Sequence, residues 1–354
     1  MSPPLTSLLG ISRSKLGTLL EPHIDRPFRV DQIYRAIYES RVESFEEMTG
    51  LPKALRSELA KLFSISRPPV ATRQKSGDST VKYLFELEDG ATFEAVDIPD
   101  GDRRTVCVSS QAGCALACRF CVTGYWGAGR DLSAGEILGQ VMTVEEDGGL
   151  ENRRNLVFMG MGEPLLNLPN LSEALHFLFE RYSWRRITVS TAGVLPGLEE
   201  MASWERRPQL AISLHAPDED RRSELMPINK RYPLQDLLAL LERYPLVAKQ
   251  RITFEYVMID GFNDSLADAD ALALLLRRQR AKINLIPLNE DPVLGPEMKT
   301  SPAAKVEAFR RRLVERGLPA STRVQRGDDV AAACGQLRAF GREARGFRRS
   351  NISL

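Results

Sequence analysis

Histidine is scarce in this 354-residue chain: His23, His176 and His215 are the only three, and they lie far apart. No zinc-finger spacing can be assembled from them. Charge of one sign is also missing. The net charge is only +1, so the chain as a whole lacks the field of a polyanion binder. No apolar run approaches the length of a membrane span, and no basic-then-apolar leader opens the sequence. A cytoplasmic protein without a membrane partner is expected. Cysteine is sparse and odd in number: there are five, of which three fall within eight residues. That is a ligand pattern and not a secreted disulfide framework. What remains is ordinary, with 43% hydrophobic and 27% charged residues. The length suffices for one large domain and a small one.

The charges are unevenly spread. Lys53, Arg56, Lys61, Arg67, Arg73 and Lys75 face a single acid, Glu58, within their stretch. After Gln336 come Arg338, Arg342, Arg345, Arg348 and Arg349 against Glu343 alone. Such patches can contact phosphates, or can simply be solvated faces.

Residues 1–70 read as a small helical domain. Apolar residues recur at helical spacing in Leu16-Leu19-Leu20, Ile33-Ile37 and Leu55-Leu59-Leu62. A β-type extension over 71–103 follows, with Val81–Leu87 and Ala91–Ile98 around the turn-like Asp89-Gly90. The core then spans 104–320. Strand-like segments at Thr105–Ser110, Asn155–Gly160, Ile187–Thr191, Leu210–His215, Ile252–Ile259 and Lys282–Leu288 alternate with helix-like segments at 134–146, 170–182, 195–203, 234–243, 266–279 and 301–316. Six β/α units imply an α/β fold with a parallel sheet. They are too few to close an eight-stranded barrel, so an open partial (β/α)6 barrel of TIM type is expected. A doubly wound sheet would show the same alternation. The final segment, 321–354, holds an extended piece at Thr322–Arg326 and a loop around Cys334.

The run Cys114-x3-Cys118-x2-Cys121 follows the first strand of the core. Three thiolates so spaced can hold three irons of a [4Fe–4S] cubane and leave the fourth open. Structural zinc is the alternative, with Cys107 as a fourth thiolate. The second strand ends in Met159-Gly160-Met161-Gly162-Glu163-Pro164, where glycines admit a ligand and Glu163 offers a carboxylate to an ammonium. In barrel-type sheets sites form at the carboxyl ends of strands. Ser190-Thr191, Ser213-Leu214-His215 and Asn289 fall at such ends, consistent with a ligand carrying ribose and adenine. Cys107 reads equally well as a core residue, and Cys334 as an exposed thiol in a small-residue loop.

These strings together resemble one family. Cys-Val-Ser-Ser-Gln-x-Gly-Cys (107–114), Gly-Met-Gly-Glu-Pro-Leu-Leu-Asn (160–167), Val-Ser-Thr-Ala-Gly (189–193), Ser-Leu-His-Ala (213–216), Leu-Met-Pro-Ile-Asn (225–229), Asn-Leu-Ile-Pro-Leu-Asn (284–289) and Ala-Cys-Gly-Gln-Leu (333–337) are similar to the RlmN/Cfr radical S-adenosylmethionine (SAM) RNA methyltransferases. The resemblance implies cluster ligands Cys114, Cys118 and Cys121. It implies a SAM site of Gly162, Glu163, Ser190, Ser213, Leu214, His215 and Asn289. Cys334 would carry a methyl group as S-methylcysteine, Cys107 would resolve it through a transient disulfide, and Glu94 would accept a proton. The implied substrates are an adenine in the peptidyl-transferase region of 23S rRNA and one in tRNA beside the anticodon, methylated at carbon 2. Two SAM molecules would be used per turnover by a monomer with an external electron donor such as flavodoxin. The competing readings are methylation at carbon 8, a radical SAM activase or peptide modifier, and a zinc-stabilised RNA-binding protein. The chain departs from the family pattern at Val122, Asp131, Leu168-Pro169 and Glu290.

Overall fold

The computed structural model describes residues 5–148 and 154–337; the five tail arginines after Gln336 lie outside them. The chain forms two compact units. The first comprises the described parts of Met1–Pro69, Leu132–Glu151 and Pro169–Tyr182. It contains β1 (Thr6–Ser7), α1 (Arg13–Leu20), α2 (Phe28–Tyr38), α3 (Lys53–Leu62) and β2 (Phe63–Ser64). Most of the apolar stripe read from the sequence forms its core: Leu16, Leu20, Ile33, Ile37, Leu55 and Leu59 are buried together. Leu62, at the end of α3, is exposed. Two later helices join this unit, α4 (Ala134–Asp147) and most of α5 (Leu168–Arg181). α4 starts at a capping box, Ser133 with Glu136, which satisfies two orphan backbone donors. The Tyr38 ring of α2 stacks on Phe177 of α5 with centroids 4.5 Å apart. Glu145, buried on α4, takes Arg41, Arg181 and the Tyr182 hydroxyl. The six basic residues between Lys53 and Lys75 are not all available to a partner. Arg67 is buried against Glu43 and Glu146.

The second unit comprises the described parts of Val70–Asp131, Asn152–Leu168 and Ser183–Leu354. Its centre is one ten-stranded sheet in which strand order follows chain order. β3 (Val70–Lys75), β4 (Val81–Glu86), β5 (Thr92–Asp100) and β6 (Arg103–Cys107) are antiparallel. From β6 onward the sheet is parallel through β7 (Arg154–Phe158), β8 (Ile187–Thr191), β9 (Gln209–Ser213), β10 (Ile252–Met258), β11 (Ala281–Pro287) and β12 (Ala320–Thr322). This order separates the two architectures that periodicity left open. A doubly wound sheet reverses direction at a switch point. Here every new parallel strand is added to the same edge, as in a barrel, and β3 and β12 do not pair, so the sheet stays open.

The remaining helices are α6 (Leu195–Ser203), α7 (Glu219–Leu225), α8 (Leu234–Arg243), α9 (Leu266–Leu275) and α10 (Ala303–Glu315). The two-residue strands β1 and β2 lie outside the sequence reading, and so do two longer elements. β3 is an edge strand with almost every residue exposed, so it has no apolar alternation to read. α7 is only seven residues long and mostly charged. The extended piece expected at Thr322–Arg326 is shorter and earlier, as β12. Among the described residues no helix is long and apolar enough to cross a membrane.

Candidate active site

The carboxyl ends of the parallel strands carry a cavity of about 160 Å³ that Cys114, Cys118 and Cys121 help to line. The cysteine loop between β6 and α4 is pinned within the second unit. Cys114 N–H donates to Gly127 O at 2.9 Å, Arg119 N–H to Leu225 O at 2.9 Å, and the Gln111 amide to Asp131 at 2.7 Å. Ala117, between the first two cysteines, takes a left-handed φ of 50°, which turns the loop back on itself. Burial pushes the Cys114 thiol up to about 12, with Cys121 adding to it. Burial and the neighbouring thiols drive Cys118 well above the ordinary range. Three crowded, buried sulfurs are thus poor anions alone and suit a polycationic core that compensates their charge. Among the described residues no three His, Cys, Asp or Glu side chains converge on one metal ion. A cubane does not ask for that, since each thiolate takes a different iron.

The Met-Gly-Met-Gly-Glu turn is fastened to the strand-end run Ser109-Ser110-Gln111. Ser109 Oγ accepts from Met161 N at 2.8 Å, Gln111 Oε1 accepts from Glu163 N at 2.8 Å, and Asn167 donates to Ser110 O at 2.8 Å. Gly162 has φ +96°, and a Cβ there would meet Gln111 Cβ at 2.5 Å. The turn therefore has room for glycine only. Glu163 is 3% exposed. Its carboxylate accepts from Leu165 N at 3.1 Å and Ala192 N at 2.8 Å, which fixes its direction, and burial raises its pKa.

Ser190, Ser213, His215 and Asn289 line the same cavity. His215 has φ +60° and is locked by its neighbours: Nδ1 accepts from Val257 N at 3.0 Å, and its carbonyl accepts from Asn263 at 2.8 Å. Burial first, then Arg222, lowers its pKa to about 3. The ring is neutral, and with Nδ1 accepting, Nε2 carries the proton. Phe120 packs on its edge, centroids 4.4 Å apart. Leu214 differs from the others. Its side chain is fully buried and does not line the cavity, while its N–H donates to Glu255 O at 3.0 Å.

Cys107, at the end of β6, and Cys334, in the C-terminal loop, are brought together. Both line a second cavity of about 60 Å³ with Ile98, Met159, Asn289 and Arg323. Both are free thiols. The two cavities share Met159, Ile286, Asn289, Arg323 and Cys334. The loop that carries Cys334 is tied down along its length. Asp329 accepts from Ser76 at 2.5 Å and Gly77 N at 3.1 Å, Cys334 O accepts from Asn289 at 2.8 Å, and Gly335 O accepts from Val122 N at 2.7 Å. Burial, then the Cys334 sulfur, pushes the Cys107 thiol up to about 12, and Arg323 opposes them.

Glu94 lines neither cavity. It is fully buried on β5, paired with buried Lys82 at 3.2 Å. Its register places it on the face that carries Cys107: Val96 pairs with Cys107, and Glu94 lies two residues away. Lys82 also donates to Ala331 O at 3.4 Å, so the C-terminal loop covers the pair.

Two residues at this site escaped the sequence reading. Arg323 follows β12 and its pKa is raised chiefly by the Cys334 sulfur. Glu255 lies in β10, is 4% exposed, lines the larger cavity, and accepts from Asn284 at 2.7 Å. Its signal was a lone carboxylate inside the otherwise apolar strand Ile252–Met258.

The chain is similar to known proteins over nearly its whole length. The Radical SAM superfamily profile matches residues 108–273, and the ribosomal RNA large subunit methyltransferase N-terminal domain matches residues 6–65. The dual-specificity RNA methyltransferase RlmN of Anaeromyxobacter dehalogenans is 43% identical over 98% of this chain and 95% of its own. That of Pelobacter propionicus is 42% identical over 94% and 96%. The crystal structure of a radical SAM methyltransferase from Sphaerobacter thermophilus superposes with a TM-score of 0.88 at 40% identity, covering 95% of this chain and all of that one.

Proposed function

This chain belongs to the RlmN family of radical SAM RNA methyltransferases, and from that premise we propose that it methylates carbon 2 of an adenine in 23S rRNA and of an adenine in tRNA. The observation that carries this reading is the pairing of Cys107 with Cys334 in one cavity adjoining the cluster-side pocket. A radical SAM enzyme that only abstracts hydrogen needs no such pair.

Cys114, Cys118 and Cys121 would hold a [4Fe–4S] cluster, which with SAM would supply the one-electron chemistry that takes hydrogen from a methyl group. The protein's own residues do the rest. Glu163, held by two backbone donors, presents its free lone pairs to the SAM ammonium. Ser190, Ser213, the Nε2–H of neutral His215 and Asn289 surround the remaining polar groups of SAM, while Leu214 fixes the strand end between Ser213 and His215 through its N–H to Glu255 O. Carbon 2 of adenine is not nucleophilic and cannot attack a SAM methyl directly. A thiolate can, so the Cys334 thiolate displaces S-adenosylhomocysteine from the methyl carbon of a first SAM and becomes S-methylcysteine. A radical derived from a second SAM would take one hydrogen atom from that S-methyl group. The methylene carbon left on the Cys334 sulfur would bond to carbon 2 of the adenine and tie the RNA to Cys334, with the adduct's unpaired electron passing to the oxidised cluster. Glu94 accepts the ring proton once the C-terminal loop has moved off the Lys82–Glu94 pair. The Cys107 thiolate attacks the Cys334 sulfur, forming the Cys107–Cys334 disulfide as the sulfur–methylene bond breaks, and the departing carbon takes up a proton and leaves as methyladenine. An external reductant of flavodoxin type restores both thiols and the cluster, and the enzyme works as a cytoplasmic monomer.

Mass mapping of RNA from cells with and without the gene tests the product. Loss of 2-methyladenosine on deletion is expected, whereas an unchanged level, or loss of an 8-methyl product instead, refutes the assignment. Cys107→Ala is expected to leave RNA covalently bound to Cys334. Clean release of methylated RNA by that variant would remove Cys107 from the reaction.

A further inference from the structure

The opposite end of the sheet carries a second large concavity. It has a volume of about 740 Å³ and is lined by Lys249, Arg251, Arg277, Arg280 and Arg316, with no acidic residue in its wall. Arg251 immediately precedes β10 and Arg280 immediately precedes β11, so the cleft sits at the amino ends of the strands. The active-site residues sit at the carboxyl ends. A chain with 48 basic and 47 acidic residues has no general surplus from which such a wall would arise.

Helix stabilisation does not account for the charge. Arg277 and Arg316 follow the carboxyl ends of α9 and α10, where a cation offsets roughly half a negative charge per helix. Arg316 is further balanced by Asp270, at 2.8 Å, and Arg280 is held by Val247 O at 3.1 Å. Three cations keep most of their charge uncompensated. Among the described residues Lys249, Arg251 and Arg277 make no ion pair, and all three are exposed. Lys249 is also held at φ +64°, a left-handed conformation that disfavours any residue with a side chain.

We propose that this cleft is a second RNA-binding surface, which grips phosphodiester groups of the substrate remote from the reacting adenine. The inference rests on the RNA substrate of the proposed function and extends it. A seven-residue strand spans about 23 Å, so an RNA with its adenine at the active site must reach that far around the unit. A folded tRNA is large enough to do so and a few nucleotides are not. The mode is electrostatic and indifferent to sequence, since guanidinium and ammonium groups meet phosphate without reading bases.

The test is the triple variant Lys249→Gln, Arg251→Gln, Arg277→Gln, with binding of a full-length tRNA transcript followed by fluorescence anisotropy across salt concentrations. Three lost phosphate contacts flatten the salt dependence. Between about 50 and 200 mM salt the wild type should lose about 20- to 40-fold more affinity than the variant loses. Identical affinity and salt slope in both proteins overturns the proposal. So does protection of the cleft arginines from dicarbonyl modification by inorganic pyrophosphate but not by tRNA, which marks a free-anion site. Methylation of Cys334 by SAM without RNA, read by mass spectrometry, should be unchanged in the variant. That separates a lost surface from a lost fold. Failure of the carbon-2 assignment would appear in the mapped RNA product while the salt slopes still differed.

Discussion

A buried thiol is a weak nucleophile until it sheds its proton, and Cys107 is buried beside another sulfur. Its pKa of about 12 means that the neutral thiol prevails at pH 7. Reactivity should therefore climb about tenfold per pH unit from 7 to 10 without reaching a plateau, where an ordinary thiol levels off near 9. Iodoacetamide labelling of Cys107, read by peptide mass spectrometry, checks this. Arg323 is the guanidinium that opposes the upward shift, so Arg323→Leu should slow labelling further at each pH, and Arg323→Lys should recover part of the rate. A plateau below pH 9 in the wild type would show that another cation governs this thiol. At this scale the sequence named Cys107 and Cys334 but not their partner. Arg323 is adjacent to neither in sequence, and only the sheet brings β6 and the end of β12 to the same interior.

Among the elements, the six core strands and their helices were legible because each strand is a short apolar run bounded by turns, and each helix has an apolar face. β3 was not, because a polar edge strand is defined by its hydrogen bonds to β4 and not by its side chains. The glycine turn after β7 was legible as a motif, but its reason was not. Its conformation is imposed by Ser109 and Gln111, which reach it from the run that follows β6. Gly162→Ala puts a Cβ against Gln111 at a left-handed φ and should cost about 1–3 kcal/mol, concentrated in this turn. Because Glu163 is the next residue, SAM affinity measured by equilibrium dialysis should fall at least tenfold while most of the fold survives. Undiminished SAM binding would show that the turn does not position Glu163.

For the whole molecule, the proposed sites for cluster, SAM and thiol chemistry draw on residues from almost the full length of the second unit, from Glu94 to Cys334. A ligand that binds such an assembled site stabilises the folded chain. At 100 times its dissociation constant SAM should add about 2.7 kcal/mol, or several degrees in melting temperature. The gain should be large only after anaerobic iron–sulfur reconstitution, because in the proposed function the cluster's open iron would be part of the SAM site. An equal shift in the iron-free protein, or zinc in place of iron after anaerobic purification, would count against the cluster reading. The sequence by itself determined the chemistry that is local: three cysteines in eight residues, the Gly-Glu turn, and the order of β/α units. Only the tertiary structure decided that the sheet is singly wound and open, that Cys107 and Cys334 share a cavity with Arg323, and that Glu94 is sealed with Lys82 beneath the C-terminal loop. The reason is physical. Local spacing fixes what a loop can ligate, whereas strand order, burial and the approach of distant side chains depend on hydrogen bonds and packing between segments that the sequence keeps far apart.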